Sequence, residues 1–172
     1  MTASDNHFYG DPFISHRFER AGEYFLEIRD VRYHGNVYWE YSIEITNRAF
    51  VSNVYPMGIA IGKETPVELI GTQLPEQRTV GLTLPPETKV GPTLARAPIG
   101  DDRSNAIPVY ATDLPIAMET AEANDSHDKG QLVAIPSGIN GRISQESDVD
   151  CFQFDAKKGC LLYTSPSPRD EL

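Results

Sequence analysis

The sequence has little cysteine and no long apolar run, and these two absences bound its class. It contains only Cys151 and Cys160, too few for the disulfide framework that holds many small secreted domains together. No apolar stretch approaches the roughly 18 to 20 residues that a membrane-spanning helix needs. The opening residues, MTASDNHFYGDPF, also lack the charged start and apolar stretch of a signal peptide. The sequence therefore predicts no membrane span.

Positive charge is also scarce. The chain of 172 residues has 15 Lys and Arg against 25 Asp and Glu, a formal net charge of −10. An acidic surface repels the phosphate backbone of DNA and RNA. We therefore expect no nucleic-acid partner.

The motifs of common catalytic and zinc sites are missing. The four histidines show no H-x-x-x-H or H-E-x-x-H spacing, and there is no G-x-S-x-G elbow or glycine-rich phosphate loop. Cys151 precedes Phe152 in a predicted strand and is expected to be a small core or edge residue. We expect neither a zinc site nor a catalytic residue, so no enzymatic activity is predicted within this chain, and the activity of any larger parent protein is left open.

What the sequence does have is the two-residue alternation of β-strands, most clearly in residues 13–46. Apolar and polar residues alternate around Leu26 and again around Ile43, and Asp30 and Asn36 supply turn chemistry between them. The pattern predicts an antiparallel meander of three strands. The second half of this segment carries four aromatic residues, Tyr33, Tyr38, Trp39 and Tyr41. They are interpreted either as a ladder of side chains packed across neighbouring strands or as a ligand-binding surface.

Shorter strands are predicted along the rest of the chain, and no helix is expected to exceed two turns. The Pro-, Gly- and Thr-rich residues 85–108 indicate either a loop-rich part of the same small β domain or an exposed linker. The strand predictions are residues 67–70, 79–84, 107–111, 132–135, 138–143 and 151–154. The predicted fold class is all-β, built from antiparallel β-sandwich modules of immunoglobulin-like or jelly-roll-like type.

Residues 119–159 resemble the opening half of the bacterial pre-peptidase C-terminal domain, a β-sandwich module of secreted proteases and surface proteins. The resemblance rests on an acidic entry at Asn124-Asp125, an Asn-Gly turn at Asn140-Gly141, and a D-x-D-x-F-x-F strand at residues 148–154. The sequence departs from the family at Thr120, at Ala123 and at Cys151. The resemblance implies a β-sandwich outside the cytoplasm.

Two other parts of the chain carry resemblances. Residues 11–46, with the pattern AGEYFLEIRD, are similar to the closing half of a module of the same family. Residues 50–84 resemble an immunoglobulin-like transcription-factor-type (TIG) module through their Pro-Gly turn and the strand VELIGTQL. The implied domains are 1–48, 49–112 and 113–159. We also hypothesise that the two half-modules pair as a circularly permuted sandwich.

Residues 160–170, CLLYTSPSPRD, resemble one reading frame of a common sequencing adaptor. This resemblance implies that residues 160–172 are an artefact, that the coding sequence stops near Gly159, and that the chain is a fragment. The terminal RDEL and the pairing of Cys160 with Cys151 are accordingly not expected to be functional.

A cluster of acidic residues is the one group of side chains in the sequence that suggests a ligand-binding site. Ca²⁺ binds six to eight oxygens from carboxylates, amides and carbonyls. Some members of the pre-peptidase C-terminal family, which this segment resembles, bind Ca²⁺ at these positions. The alternative is a turn cap at Asn124-Asp125 beside a solvated acidic face. The candidate calcium ligands are Glu119, Glu122, Asn124, Asp125, Asp148 and Asp150.

The resemblances imply two functions of different classes. The first is a non-catalytic β-sandwich fragment of a large secreted or surface bacterial protein, which serves binding, adhesion or spacing and has an extracellular protein or polysaccharide as its partner. The alternative is an accessory C-terminal region of a secreted peptidase or other hydrolase whose catalytic domain lies outside the fragment. Both imply an extracellular or cell-surface location.

Overall fold

The computed structural model describes residues 13–120 and 124–162. Contacts between residues divide the chain into two compact units, Met1–Asn47 and Arg48–Leu172. The part of the chain that the structure describes contains no helix with the length and apolarity needed to cross a membrane.

The first unit contains the predicted turns but not the predicted strands. The amide of Tyr33 donates to the carbonyl of Asp30 at 3.0 Å, and that of Trp39 donates to the carbonyl of Asn36 at 3.0 Å. No strand is assigned to residues 13–47, so the prediction of a three-stranded meander is wrong. The hypothesis of a permuted sandwich is wrong for the same reason, since it requires a strand ladder from this segment.

Exposed apolar side chains explain why the alternation in the first unit gave a wrong prediction. Leu26 is 51% exposed, Tyr41 74% and Ile45 83%, so the faces that the pattern marks as buried remain largely uncovered. A strand is stable only when a neighbouring strand pairs with its backbone and its apolar face is packed. The turns form because their hydrogen bonds are local. The predicted aromatic ladder is absent with the strands.

The second unit contains twelve short strands within its described residues. They are β1 (Phe50–Tyr55), β2 (Gly58–Ala60), β3 (Glu64–Thr72), β4 (Thr79–Thr83), β5 (Gly91–Ala95), β6 (Pro98–Ile99), β7 (Asp102–Arg103), β8 (Ile107–Thr112), β9 (Ile116–Met118), β10 (Gln131–Leu132), β11 (Gly138–Asn140) and β12 (Phe152–Gln153).

Two three-stranded sheets form a β-sandwich. One has the order β1-β3-β4 and is antiparallel, and the other has the order β2-β8-β5, in which β8 is parallel to β2 and antiparallel to β5. Strand β3 shows the alternation clearly, because Thr65, Val67 and Leu69 are buried while Glu64 and Glu68 are exposed. Each fully buried aliphatic side chain contributes about 2 kcal/mol to the driving force for folding. The core side chains come from both sheets and from the residues that follow β4 and β5, and they are Val51, Val54, Ile59, Val67, Leu69, Leu82, Leu84, Ala95, Ala97, Ile107, Val109 and Ala111.

Pro56 separates two strands that belong to different sheets. Proline has no N–H to give to a ladder, so β1 ends at Tyr55 and β2 begins at Gly58 in the other sheet.

At the other end of β1, the side chain of Asn105 binds the backbone of the strand. The amide of Val51 donates to Oδ1 of Asn105 at 2.9 Å, and Nδ2 of Asn105 donates to the carbonyl of Val51 at 2.8 Å.

The Pro- and Gly-rich residues 85–108 belong to the sandwich. They include β5, which pairs along its length with β8, and the short hairpin of β6 and β7. The alternative interpretation as an exposed linker is therefore wrong.

The remainder of the second unit contains two parallel strand pairs, β9 with β11 and β10 with β12. The one helix within the described residues is a single 3₁₀ turn, His127–Lys129. The prediction of an all-β fold is confirmed.

Candidate functional site

The acidic site lies where the parallel strand pairs end. Glu119 directly follows β9, and its amide donates to the carbonyl of Asn140 at 2.7 Å. The carbonyl of Asn124 accepts from the amide of Cys151 at 2.9 Å, which places Asn124 beside the residue before Cys151, Asp150. Backbone pairing thus brings together residues that are far apart in the sequence.

Gly141 provides the space in which two carboxylates meet. A Cβ atom at this position would lie 3.2 Å from Oδ2 of Asp150 and 3.2 Å from Oε2 of Glu119. The amide of Arg142 donates to Oε2 of Glu119 at 2.7 Å and fixes that carboxylate. A larger residue at position 141 would crowd the pair.

The electrostatics of the site follow from this proximity. Burial raises the pKa of Asp150 above its ordinary value, and hydrogen bonding to Glu119 and the charges of Glu119 and Asp148 raise it further, while the Asn124 amide opposes them. The pKa of Asp148 is lowered, because its carboxylate accepts from the amide of Ser144 at 2.6 Å and from its hydroxyl at 3.0 Å. Two neighbouring aspartates therefore differ in proton affinity.

Two buried polar atoms of the site make no hydrogen bond of good geometry among the described residues, although the Asn124 side chain lies close enough to the Asp150 carboxyl to lower its pKa. They are Oδ1 of Asp150 and Nδ2 of Asn124, and Asn124 is only 5% exposed. Leaving a buried polar atom unpaired costs about 1–3 kcal/mol. The site thus has unused capacity for a polar or charged ligand.

The structure brings together part of the predicted calcium set. Glu119, Asn124 and Asp150 converge, whereas Asp148 is engaged by Ser144 and Asp125 is exposed. Glu122 lies outside the described residues. Within the described ranges, no group of three or more His, Cys, Asp or Glu side chains could hold a metal ion. The described side chains supply two carboxylates and an amide, so a bound Ca²⁺ would need further oxygens from backbone or water.

Sequence reasoning missed the residues that dock this site onto the sandwich. Nη2 of Arg142 lies 2.9 Å from Oε2 of Glu68, and its guanidinium stacks 4.1 Å from the centroid of the Tyr55 ring. Oδ1 of Asn140 accepts from the amide of Gly58 at 2.7 Å. The Asn-Gly-Arg sequence was the available signal, but it indicated only a turn.

A groove of about 350 Å³ lies between the docked segment and the sandwich. The pKa of Tyr55, in the wall of this groove, is raised above its ordinary value. Burial is the largest cause, and the negative charges of Glu119 and Asp150 add to the increase, while the positive charge of Arg142 lowers the pKa. The groove is lined by Asn53, Val54, Tyr55, Met57, Ile70, Ile139, Asn140, Gly141, Arg142 and Ile143.

The remaining candidates do not assemble into a site in the described residues. Cys151 is half-buried and Cys160 exposed, and both are free thiols. His34 and His127 are exposed, and His7 lies outside the described residues.

Comparison of the chain with protein-family models, with curated proteins and with solved structures found no match.

Proposed function

We propose that this chain is a non-catalytic β-sandwich part of a larger secreted or surface bacterial protein, and that it serves binding, adhesion or spacing. The observation that carries the proposal is the docking of residues 113–159 onto the sandwich through Asn140 and Arg142. A docked segment holds a preformed groove and an acidic site in fixed positions, which suits recognition of a partner. The resemblance to extracellular sandwich modules supports the same role.

Binding of the purified chain to panels of immobilised extracellular proteins and polysaccharides tests this role. We expect saturable binding to at least one member and no turnover of peptide or glycan substrates. Hydrolysis of any substrate by the purified chain, with the activity co-purifying through every step, would contradict a non-catalytic role.

The alternative is an accessory region of a secreted peptidase or other hydrolase. The D-x-D-x-F-x-F pattern at residues 148–154 favours it, because the family that it resembles accompanies secreted proteases. The complete gene separates the two proposals. A hydrolase domain in the same reading frame supports the accessory role, and a series of further sandwich modules supports adhesion or spacing.

Calcium binding at the acidic site is a second proposed property. The buried, unpaired Oδ1 of Asp150 beside the carboxylate of Glu119 favours it. A ligand that binds only the folded state at 100 times its Kd adds about 2.7 kcal/mol of stability. We expect Ca²⁺ to raise the melting temperature of the chain, and Asp150→Asn to reduce the rise while Asp101→Asn, an exposed control, preserves it. Absence of both binding heat and thermal shift would refute this proposal.

A further inference from the structure

Residues 23–29 of the first unit carry an apolar face that is open to solvent. In an extended chain, the sequence EYFLEIR places Tyr24, Leu26 and Ile28 on one side and its other residues on the opposite side. Tyr24 is 52% exposed, Leu26 51% and Ile28 47%. About half of each of these side chains can therefore be covered by a partner.

The backbone of this segment is open as well. No strand is assigned to residues 13–47, and the turn hydrogen bonds accepted by Asp30 and Asn36 lie after the segment. An alternating segment whose N–H and C=O groups are not paired in a ladder recruits another extended chain. Residues 23–29 thus offer both a backbone edge and an apolar face.

The order of the side chains makes this segment complementary to a second copy of itself. When two copies pair antiparallel about Leu26, residues equally distant from Leu26 lie opposite each other. Glu23 then lies opposite Arg29 at both ends of the pair. Tyr24 lies opposite Ile28 twice, and Leu26 lies opposite its counterpart. Opposite charges and aromatic–β-branched pairs both stabilise antiparallel strands.

The charges of the segment permit this pairing. Nε of Arg29 lies 3.2 Å from Oε1 of Glu27, and both side chains are well exposed. Such an exposed ion pair contributes little, so Arg29 can exchange it for Glu23 of a second copy at low cost. Glu23 itself forms no ion pair with a side chain in residues 13–120 or 124–162. Glu27 lies opposite Phe25 of the second copy and so meets no like charge directly across the ladder.

The other alternating stretch of the first unit lacks this complementarity. Residues 37–45, VYWEYSIEI, contain Glu40 and Glu44 but no Lys or Arg. Two copies of that stretch could not form an ion pair with each other. Charge complementarity therefore selects residues 23–29 as the segment that pairs with itself.

We propose that residues 23–29 are a self-association site, at which two copies of the chain pair as antiparallel β-strands centred on Leu26. The interface is isologous, because each copy contributes the same residues. A ribbon of two strands is only marginally stable, so the dimer is weak and depends on concentration. This inference goes beyond the proposed function and does not rest on it.

Sedimentation equilibrium of the full chain over a range of concentrations tests the site, and we expect a reversible monomer–dimer equilibrium. Arg29→Glu places like charges opposite each other twice and is expected to raise the dimer Kd about tenfold or more. Adding Glu23→Arg to that variant restores both opposite-charge pairs and is expected to restore dimerisation. Arg32→Glu is the matched control, because Arg32 is exposed and lies outside the paired residues. Circular dichroism of each variant checks that the fold is retained.

Trypsin cleavage gives a second measurement that needs no substitution. The rate of cleavage after Arg29 relative to that after Arg17 is expected to fall as the concentration of the chain rises through the dimer Kd, because only Arg29 enters the ladder. A constant ratio would count against the site.

A chain that stays monomeric at every concentration would overturn the proposal. So would a charge-swapped chain that dimerises as poorly as Arg29→Glu alone. Rescue of Arg29→Glu by Glu40→Arg, and not by Glu23→Arg, would assign Arg29 to a partner in residues 37–45 and would also overturn it. None of these results bears on the proposed function, because the binding panels do not depend on self-association.

Discussion

At the scale of single residues, Asn140 links the sandwich to the segment that follows it. Its Oδ1 accepts from the amide of Gly58 at 2.7 Å, its Nδ2 donates to the carbonyl of Gly58 at 3.3 Å, and it is only 8% exposed. Its backbone carbonyl also accepts from the amide of Glu119 at 2.7 Å. One residue therefore fixes both the docking of the segment and the start of the acidic site.

Asn140→Ala is predicted to lower the free energy of unfolding by about 1–3 kcal/mol, because it leaves the amide and carbonyl of Gly58 without their partners. Urea unfolding followed by circular dichroism measures the change. Gln77→Ala, at an exposed position, is the control and should change stability by less than about 0.5 kcal/mol. Equal effects of the two substitutions would show that the Asn140 bonds do not hold the segment.

Asp150 makes stability depend on pH in a direction opposite to that of an ordinary paired carboxylate. Its pKa is raised in the folded protein, so the folded state binds this proton more tightly than the unfolded state does. Its contribution to stability is present below the ordinary Asp value of 3.8 and is lost as the pH rises through the raised pKa. Burial is the largest cause of the raised pKa; Glu119 and Asp148 raise it further, and Asn124 lowers it.

Asp150→Asn is therefore predicted to stabilise the calcium-free chain at pH 7, with a smaller gain at pH 4. Urea midpoints at the two pH values, in EDTA, give the comparison. Asp101→Asn, at an exposed position, is the control and should show no such pH-dependent gain. A gain for Asp150→Asn that is the same at both pH values would contradict the raised pKa.

At the scale of elements, the ladder between β1 and β3 requires a glycine at position 71. Gly71 pairs with Val51, and a Cβ atom on Gly71 would overlap the carbonyl oxygen of Phe50. This neighbour is backbone, so it cannot move without breaking the register of the ladder.

Gly71→Ala is predicted to destabilise the sandwich by about 2 kcal/mol or more, in the range of overpacked core sites. The measurement is the shift in the thermal unfolding midpoint. Gly35→Ala is the matched control, because a Cβ atom at Gly35 would meet nothing within 4 Å. If both variants unfold at the same temperature, the close approach at Gly71 is not present in solution.

The sequence pattern correctly predicted strands whose apolar face packs in the core of the sandwich. The predicted strand at residues 67–70 lies in β3, and that at 107–111 lies in β8. Strand β5 was missed because Pro92 and Gly91 suggest a loop, yet β5 is an edge strand, where the missing N–H of proline can face the open side. Residues 13–46 show the opposite error, since alternation marks an apolar face without showing what covers it.

The acidic site was predictable only in its composition. The sequence singled out Glu119, Asn124 and Asp150, which the fold brings together. It gave no sign that Arg142 would stack on Tyr55 and pair with Glu68, because those contacts depend on how the parallel strand pairs dock. Contacts between distant segments follow from the tertiary structure and not from local pattern.

At the scale of the whole molecule, the two compact units differ in how they bury their apolar side chains. The second unit has a core drawn from both sheets of the sandwich. In the first unit, the described residues 13–47 form no strand and expose large apolar side chains, among them Phe25 and Tyr38. Segments with few buried contacts open most readily.

Limited proteolysis with trypsin is predicted to cleave the first unit before the second. Early cuts are expected after Arg17, Arg20, Arg29 and Arg32, which are all exposed. Mass spectrometry of a time course identifies the fragments, and the urea-unfolded chain provides the control pattern. Initial cleavage after Lys63 or Arg96, within the sandwich unit, would contradict this order.

The central claim is that the sandwich and residues 113–159 form one docked body that presents the groove and the acidic site. Hydrogen exchange of backbone amides tests it most directly. The account predicts that the amide of Gly58 in the sandwich, which donates to Oδ1 of Asn140 in the docked segment, is protected to a similar extent as that of Leu69 within the sandwich. Rapid exchange of the Gly58 amide while Leu69 stays protected would contradict it.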